Sequence, residues 1–306
     1  MAGQSEALPL PMLAVAAPDL PPEDGGWAYE MKWDGYRAIA GVASDRLQLV
    51  SRRGNDFTAR FSELSGLPAA VGVDAILDGE LVVLDKSGRA SFQAIQQHEG
   101  PAVFVCFDVL ALDGRDVTAL PWRERRALVE RLSLSGDRWQ TSPATLGDGE
   151  AARAAAEQLG FEGVVCKRVD SPYLPGRRSP TWRKVKLSKG QELVIGGWLP
   201  GSGRLSSTLG AVLVGYHDTP GGTLRYAGRV GSGFKDDERD VMQRRLRRRA
   251  TSPFDPAPKL KGAVWVEPDC VAQVKFTEWT DDGILRQPVF LGLRDDKDPK
   301  DVVREP

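Results

Sequence analysis

The feature that most limits what this chain can fold into is a change of pattern at Lys189-Gly190. Ahead of it, apolar strand-like runs alternate with helical segments. Beyond it, short strands follow one another across Gly-rich turns. At 306 residues the chain can hold two domains, each with its own core. The expected division is 1–189 and 190–306.

In the first part, residues 1–25 are rich in Pro, Ala and Asp and read as an extended arm. Trp27-Ala28-Tyr29 starts a strand. Asp34-Gly35, followed by the apolar run Tyr36–Val42, predicts a hairpin with Lys32 at its mouth. Further strands are predicted at Leu47–Ser51, Ala75–Leu84, Val103–Leu110 and Gly163–Lys167, with short helices around Arg60–Leu67 and Phe92–Gln97. Pro121 opens an amphipathic helix with Leu128, Val129 and Leu132 on one face. The Ala-rich helix Glu150–Leu159 stops at Gly160. In the second part the strands are Leu193–Trp198, Ala211–Tyr216, Leu224–Val230, Ala263–Val266 and Val271–Trp279, with a helix near Asp236–Arg249. Five strands and a helix suit a small Greek-key barrel of the OB type. The expected class is α+β.

A net charge of −1 supplies no global attraction to nucleic acid, so such binding must come from local clusters. One runs from Arg177 and Arg178 through Arg183, Lys184 and Lys186 to Lys189. Another is Arg244 to Arg249, where helical spacing puts Arg244, Arg247 and Arg248 on one face and Arg245 and Arg249 beside it. Cys106, Cys166 and Cys270 lie far apart in apolar runs, as buried thiols of a reducing compartment do. His98 and His217 are isolated, which argues against a histidine-centred metal site. No run approaches membrane-spanning length, and no basic segment precedes the first apolar patch. A cytoplasmic location is expected.

Several segments carry charge where a strand ends or a core should be apolar. Asp78-Gly79-Glu80 precedes an apolar run, as does Phe161-Glu162-Gly163. Trp182 to Lys186 alternates so that Lys184 and Lys186 share a strand face. Nearby cations are expected to lower the pKa of Lys32 and free its lone pair. An attacking amine, two carboxylates for a divalent cation and two phosphate-binding lysines are the parts of nucleotidyl transfer.

These segments resemble, in order, the motifs of ATP-dependent DNA ligases of the covalent nucleotidyltransferase superfamily, and specifically of bacterial ligase D modules. K-x-D-G-x-R is matched by Lys32 to Arg37, S-R-x-G by Ser51 to Gly54, and D-G-E by Asp78 to Glu80. The F-D motif is Phe107-Asp108, E-G-x-x-x-K is Glu162 to Lys167, and K-x-K is Lys184 and Lys186. The last motif resembles Arg286-Gln287-Pro288-Val289-Phe290 running on to Arg294-Asp295-Asp296-Lys297. There Gln287 replaces a frequent aromatic or histidine.

The resemblance implies an adenylation domain of antiparallel sheets and flanking helices, followed by an OB-fold domain. It implies that Lys32 attacks the α-phosphorus of ATP, and that AMP passes to a DNA 5′-phosphate before a 3′-hydroxyl displaces it. Glu30 is then expected at the adenine edge and Phe107 stacked on the base. Glu80 and Arg52 reach the ribose or phosphates, and Arg37 and Lys167 belong to the same nucleotide site. Glu162 and Glu80 hold Mg²⁺ or Mn²⁺, and Lys184 and Lys186 neutralise the α-phosphate. Arg294, Asp296 and Lys297 close over the triphosphate as the barrel swings about Lys189-Gly190. DNA contacts are expected from Arg177, Arg178, Arg244, Arg247 and Arg248. The resemblance further implies a monomer acting on nicked double-stranded DNA in repair or end joining. Ku and a separate end-processing polymerase are the expected partners. Neither a helical DNA-binding domain nor polymerase or phosphoesterase modules accompany the motifs, so a minimal two-domain ligase, free-standing or an excised module, is expected. Two alternatives stay open: an mRNA capping guanylyltransferase using GTP and RNA, and a non-catalytic nucleic-acid-binding module.

Overall fold

The structure is a computed structural model that describes residues 7–85, 88–90, 92–187, 190–201 and 208–305. The chain divides into two compact units, the first running to Leu187 and the second ending at Glu305. Lys189, the expected boundary residue, lies outside the described residues.

The first unit is built on two sheets. Its strands are β1 (Leu13–Ala17), β2 (Trp27–Met31), β3 (Tyr36–Ala43), β4 (Arg46–Ser51), β5 (Ala75–Val82), β6 (Val103–Leu112), β7 (Arg115–Asp116), β8 (Trp139–Thr141), β9 (Ala144–Leu146), β10 (Gly163–Arg168) and β11 (Arg178–Lys186). One sheet has the order β4-β3-β5-β6-β7, with β8 beside β6; the other is β1-β11-β10-β2-β9. Helices α1 (Leu67–Val71), α2 (Phe92–Gln96), α3 (Trp122–Arg131) and α4 (Gly149–Leu159) complete it.

The two-residue period of a strand assigns each sheet an inner and an outer face. Tyr36, Ala38, Ala40, Leu77, Leu81, Phe104 and Cys106 enter the largest core. The intervening residues Arg37, Asp78 and Glu80 are left on the opposite face. In the second sheet Trp27, Tyr29, Val164, Cys166 and Val185 pack against Ala152 and Ala156 of α4. Glu30, Lys167, Trp182 and Lys184 occupy its other face. A third cluster, which includes Ile39, Phe107, Tyr173 and Trp182, joins the two inner faces. α4 is capped at its start by Asp148, which accepts from the Ala151 N–H at 2.8 Å, and ends at the left-handed Gly160 (φ 74°).

Three expectations for this unit are corrected. Asp34-Gly35 is not a hairpin turn: β2 pairs with β9 and β10, and β3 with β4 and β5. The pair carries the chain from one sheet to the other. Gly35 passes so close to β5 that a Cβ there would stand 2.0 Å from the Leu81 carbonyl oxygen. The arm is not merely extended, because Leu13–Ala17 forms β1, parallel to β11 with Ala16 opposite Lys184. The helix expected at Arg60–Leu67 is a 3-10 turn, Ser62–Leu64, followed by α1. Gly66 and Pro68 break the longer pattern.

The second unit consists of β12 (Gly190–Pro200), β13 (Leu209–His217), β14 (Leu224–Val230), α5 (Asp236–Arg245), β15 (Val264–Lys275), β16 (Glu278–Trp279), β17 (Leu285–Arg286) and β18 (Val289–Leu293). Its antiparallel sheet runs β14-β13-β12-β15-β18, and a parallel bridge from Ser232 to Val289 links the two outer strands' ends. That order is the OB type. The strand expected at Ala263–Val266 and most of that at Val271–Trp279 merge into β15, whose bulge opposite Gly196 absorbs Pro268, while Glu278–Trp279 forms β16.

The helix expected to reach Arg249 stops at Arg245. Leu246 turns extended and is buried in this unit's core. The Arg247 carbonyl then accepts from Glu267 N–H at 2.8 Å, and Arg249 N–H donates to Trp265 O at 3.0 Å. Pairing with β15 overrides helical propensity here. Arg244, Arg247 and Arg248 therefore do not share a helical face.

Candidate active site

Strand register brings the charged residues of the second sheet into one patch. Val165 sits between Glu30 and Lys184, Lys167 between Ala28 and Trp182, and Gly163 opposite Lys186. The Lys32 N–H donates to Gly163 O at 2.8 Å, which continues the line of β2 beside Glu162. A Cβ at Gly163 would stand 2.1 Å from Val185 O, so glycine is required for this approach of β10 to β11. The Lys32 ammonium pairs with Glu162 Oε2, and Lys186 Nζ lies 3.5 Å from Glu162 Oε1. Lys32 keeps 19% of its side chain exposed, so the amine is held but reachable.

The charge state of Lys32 departs from the expectation. Burial pulls its pKa down, but the Glu162 carboxylate outweighs this, Lys186 subtracts and Asp34 adds. The net direction is upward. The cations near Lys32 do lower its pKa, yet one close carboxylate defeats them.

Deeper on the same face, Lys167 Nζ donates to Glu30 Oε2 at 3.0 Å and to Phe107 O at 3.4 Å. It also lies 4.4 Å and 4.2 Å from the ring centres of Phe107 and Trp182. Burial raises the Glu30 pKa and lowers that of Lys167, while each partner opposes the shift of the other. Glu30 Oε1 is 2.9 Å from Lys167 Nζ, so both carboxylate oxygens lie against the one ammonium. Phe107 is buried, with the Arg37 guanidinium 4.5 Å over its ring. Arg37 is held by Asp78, with Nε and Nη2 at 2.5 Å and 2.6 Å from the two carboxylate oxygens. Glu80 is half-buried and opposite Arg37 in register. Arg52, also half-buried, opens a turn in which Gly54 N–H donates to Ser51 O at 2.8 Å.

Among the described residues, no three His, Cys, Asp or Glu side chains gather as a ready-made metal cage. Mg²⁺ typically takes one or two carboxylates together with substrate phosphates, and Glu162 and Glu80 fit that use.

Arg294, Asp296 and Lys297 belong to the second unit. Arg294 forms a two-pronged pair with Asp296, both contacts at 2.8 Å, and Lys297 pairs with Glu192 at 2.9 Å. Burial would raise the Asp296 pKa, but Arg294 outweighs it and holds the carboxyl below its usual range. The expected DNA contacts Arg177, Arg178, Arg244, Arg247 and Arg248 are all exposed. Arg178 donates to Ala14 O, and Arg247 is engaged by Asp269 at 2.6 Å.

Two residues escaped the sequence reading. Arg125 is buried and pairs with Asp108. It sits on the buried stripe of α3 with Trp122 and Val129, so a charge in an apolar helical row was the available signal. Tyr173 lies in the loop between β10 and β11, where no periodicity marks it.

Residues 11–186 match the model of the ATP dependent DNA ligase domain, and 206–297 that of the ATP dependent DNA ligase C terminal region. The chain is 42% identical over 304 residues to the multifunctional non-homologous end joining DNA repair protein LigD of Mycobacterium tuberculosis, covering 96% of this chain and 40% of the relative. To the LigD protein of Pseudomonas aeruginosa it is 39% identical over 315 residues, covering 96% and 37%. The chain thus spans about two fifths of the length of these curated relatives. A solved structure described as mycobacterial DNA ligase D complexed with ATP and MES is similar with a TM-score of 0.72 at 39% identity, covering 97% of this chain and 98% of that one.

Proposed function

This chain belongs to the ATP-dependent DNA ligase family, and from that membership we propose that it seals nicks bearing a 5′-phosphate and a 3′-hydroxyl, through a lysyl-AMP and then a DNA-adenylate. The observation that carries this is Lys32 Nζ held beside Glu162, with Lys186 on the other carboxylate oxygen. Once the Lys32 ammonium has given a proton to water, Nζ bonds to the α-phosphorus of ATP as the bond to pyrophosphate breaks, and a second proton leaves the new P–N nitrogen for solvent. Lys184 and Lys186 neutralise charge on the transferring phosphoryl group. Glu30 takes the adenine amine, and Phe107 and Arg37 complete the nucleotide side. Glu162 and Glu80 would hold a divalent cation, which supplies charge neutralisation when bound. The nearby relatives are named for non-homologous end joining, and on that ground we assign the chain to that process. The partners that follow are Ku and an end-processing polymerase. A monomer in the cytoplasm, associated with the nucleoid, fits a DNA substrate. Among the described residues no helix is long and apolar enough to cross a membrane.

The direct test is incubation with labelled ATP and Mg²⁺, then a denaturing gel and mass-spectrometric identification of the nucleotide on Lys32. Guanylate in place of adenylate, or no covalent label, refutes the reading.

Because Glu162 raises the Lys32 pKa above its ordinary value of 10.5, the neutral fraction grows about tenfold per pH unit across the neutral range. Single-turnover labelling should therefore climb with pH from the acid side through neutrality. A flat profile means that the amine is already deprotonated in the resting enzyme.

We assign Arg294, Asp296 and Lys297 to the departure of pyrophosphate. Asp296→Ala and Lys297→Ala should slow adenylation by about a hundredfold, the scale of losing one aligned charge. Sealing of a nick that already carries AMP should fall much less, because no pyrophosphate leaves in that step. Equal losses in the two assays would make the segment structural only.

A further inference from the structure

The first-unit face holds a closed ring of hydrogen bonds of which only Arg37 has a role above. The Met12 N–H donates to the Tyr173 hydroxyl at 2.9 Å, and that hydroxyl donates to Asp78 Oδ2 at 2.5 Å. Asp78 accepts both prongs of Arg37, and Arg37 Nη2 returns to Met12 O at 3.3 Å. Asp78 has no exposed surface and Tyr173 is 2% exposed, whereas the Arg37 side chain keeps 20%. Arg37 is thus more exposed than Asp78 or Tyr173, and its guanidinium lies 4.5 Å over Phe107.

We propose that Tyr173 is a positioning residue whose phenol pins Asp78, and through it Arg37, while fastening the N-terminal strand to the same point. The inference rests on the reading that Arg37 serves the nucleotide site. A hydroxyl suits the post because the two neighbours make opposite demands: the amide N–H needs an acceptor and the carboxylate a donor. Burial, and then the charge of Asp78, raise the phenol's pKa, so it stays protonated and remains a donor. The Met12 Sδ atom, 3.2 Å from the Leu174 N–H, adds a second tie between the arm and this loop. The arm therefore touches this ring through Met12, besides its pairing along β11, although it contains no charged motif.

Tyr173→Phe removes one oxygen and keeps the ring in its apolar cluster. Two readouts are needed. The Arg37 Nε–H signal in ¹⁵N spectra, assigned by its loss in Arg37→Lys, should exchange with solvent faster by tenfold or more, about the effect of losing one hydrogen bond to a charged group. Self-adenylation at subsaturating ATP should slow by roughly ten- to a hundredfold, the scale of a misplacement near 1 Å. A fall in melting temperature with an unchanged Arg37 signal would overturn the pin and leave Tyr173 a packing residue. On the unsubstituted protein the Met12 amide should be protected from exchange, and rapid exchange there would overturn it too. Normal adenylation and sealing by Arg37→Lys would instead refute the nucleotide role of Arg37, with the pin judged separately by the exchange data.

Discussion

Lys32→Arg is expected to abolish covalent labelling by ATP, on the order of a millionfold, the scale of removing a catalytic nucleophile. The substitution keeps the positive charge, so the Glu162 carboxylate retains a counter-ion. What it removes is the lone pair, because a guanidinium stays protonated at any working pH. Binding of ATP should survive, since Lys184, Lys186 and the Glu30 pocket are untouched. Sealing of a nick that already carries AMP should also survive in large part, because that step forms no bond to Lys32. These three assays separate a lost nucleophile from a damaged site. Labelling of the variant under denaturing conditions would show that another residue carries the nucleotide.

Arg125→Ala should cost about 3–5 kcal/mol of stability in the first unit, the range for stripping one partner from a buried pair. Arg125 and Asp108 are 0% and 1% exposed, and the guanidinium meets both carboxylate oxygens, at 2.8 Å and 3.1 Å. It also donates to the carbonyls of Leu120, at 2.5 Å, and Ser171, at 3.0 Å. Truncation leaves a carboxylate in the core whose remaining side-chain hydrogen bond is from the Val109 N–H. Urea unfolding, followed by a first-unit signal, should show a lower midpoint at an unchanged slope. Replacing both members, as Asp108→Leu with Arg125→Met, should recover most of the loss, because no buried charge then remains. A loss below about 1 kcal/mol for Arg125→Ala would mean that water reaches Asp108.

The Arg244 to Arg249 segment shows where a local pattern misleads. Helical spacing would align Arg244, Arg247 and Arg248, but burial of Leu246 and pairing with β15 end the helix at Arg245. Arg247 is then committed to Asp269. The Asp34-Gly35 turn is a parallel case. Its composition is that of a hairpin, yet its flanking strands find partners far away in the chain.

The sequence by itself determined the α+β class, most strand positions and the shared strand face of Lys184 and Lys186. Strand alternation is a property of neighbouring residues, so it can be read without knowing any partner. Only the tertiary structure decided the rest. Lys32 and Glu162 are 130 residues apart in sequence, and their ion pair reverses the pKa direction that the nearby lysines alone would set. Arg125 acquires its partner only when α3 packs on β6 and sets it against Asp108, 17 positions away. Tyr173 became meaningful when its loop met Met12 and Asp78, residues 161 and 95 positions away. Electrostatics and hydrogen bonding act through space at a few ångströms, so their outcome depends on long-range register that no local pattern encodes.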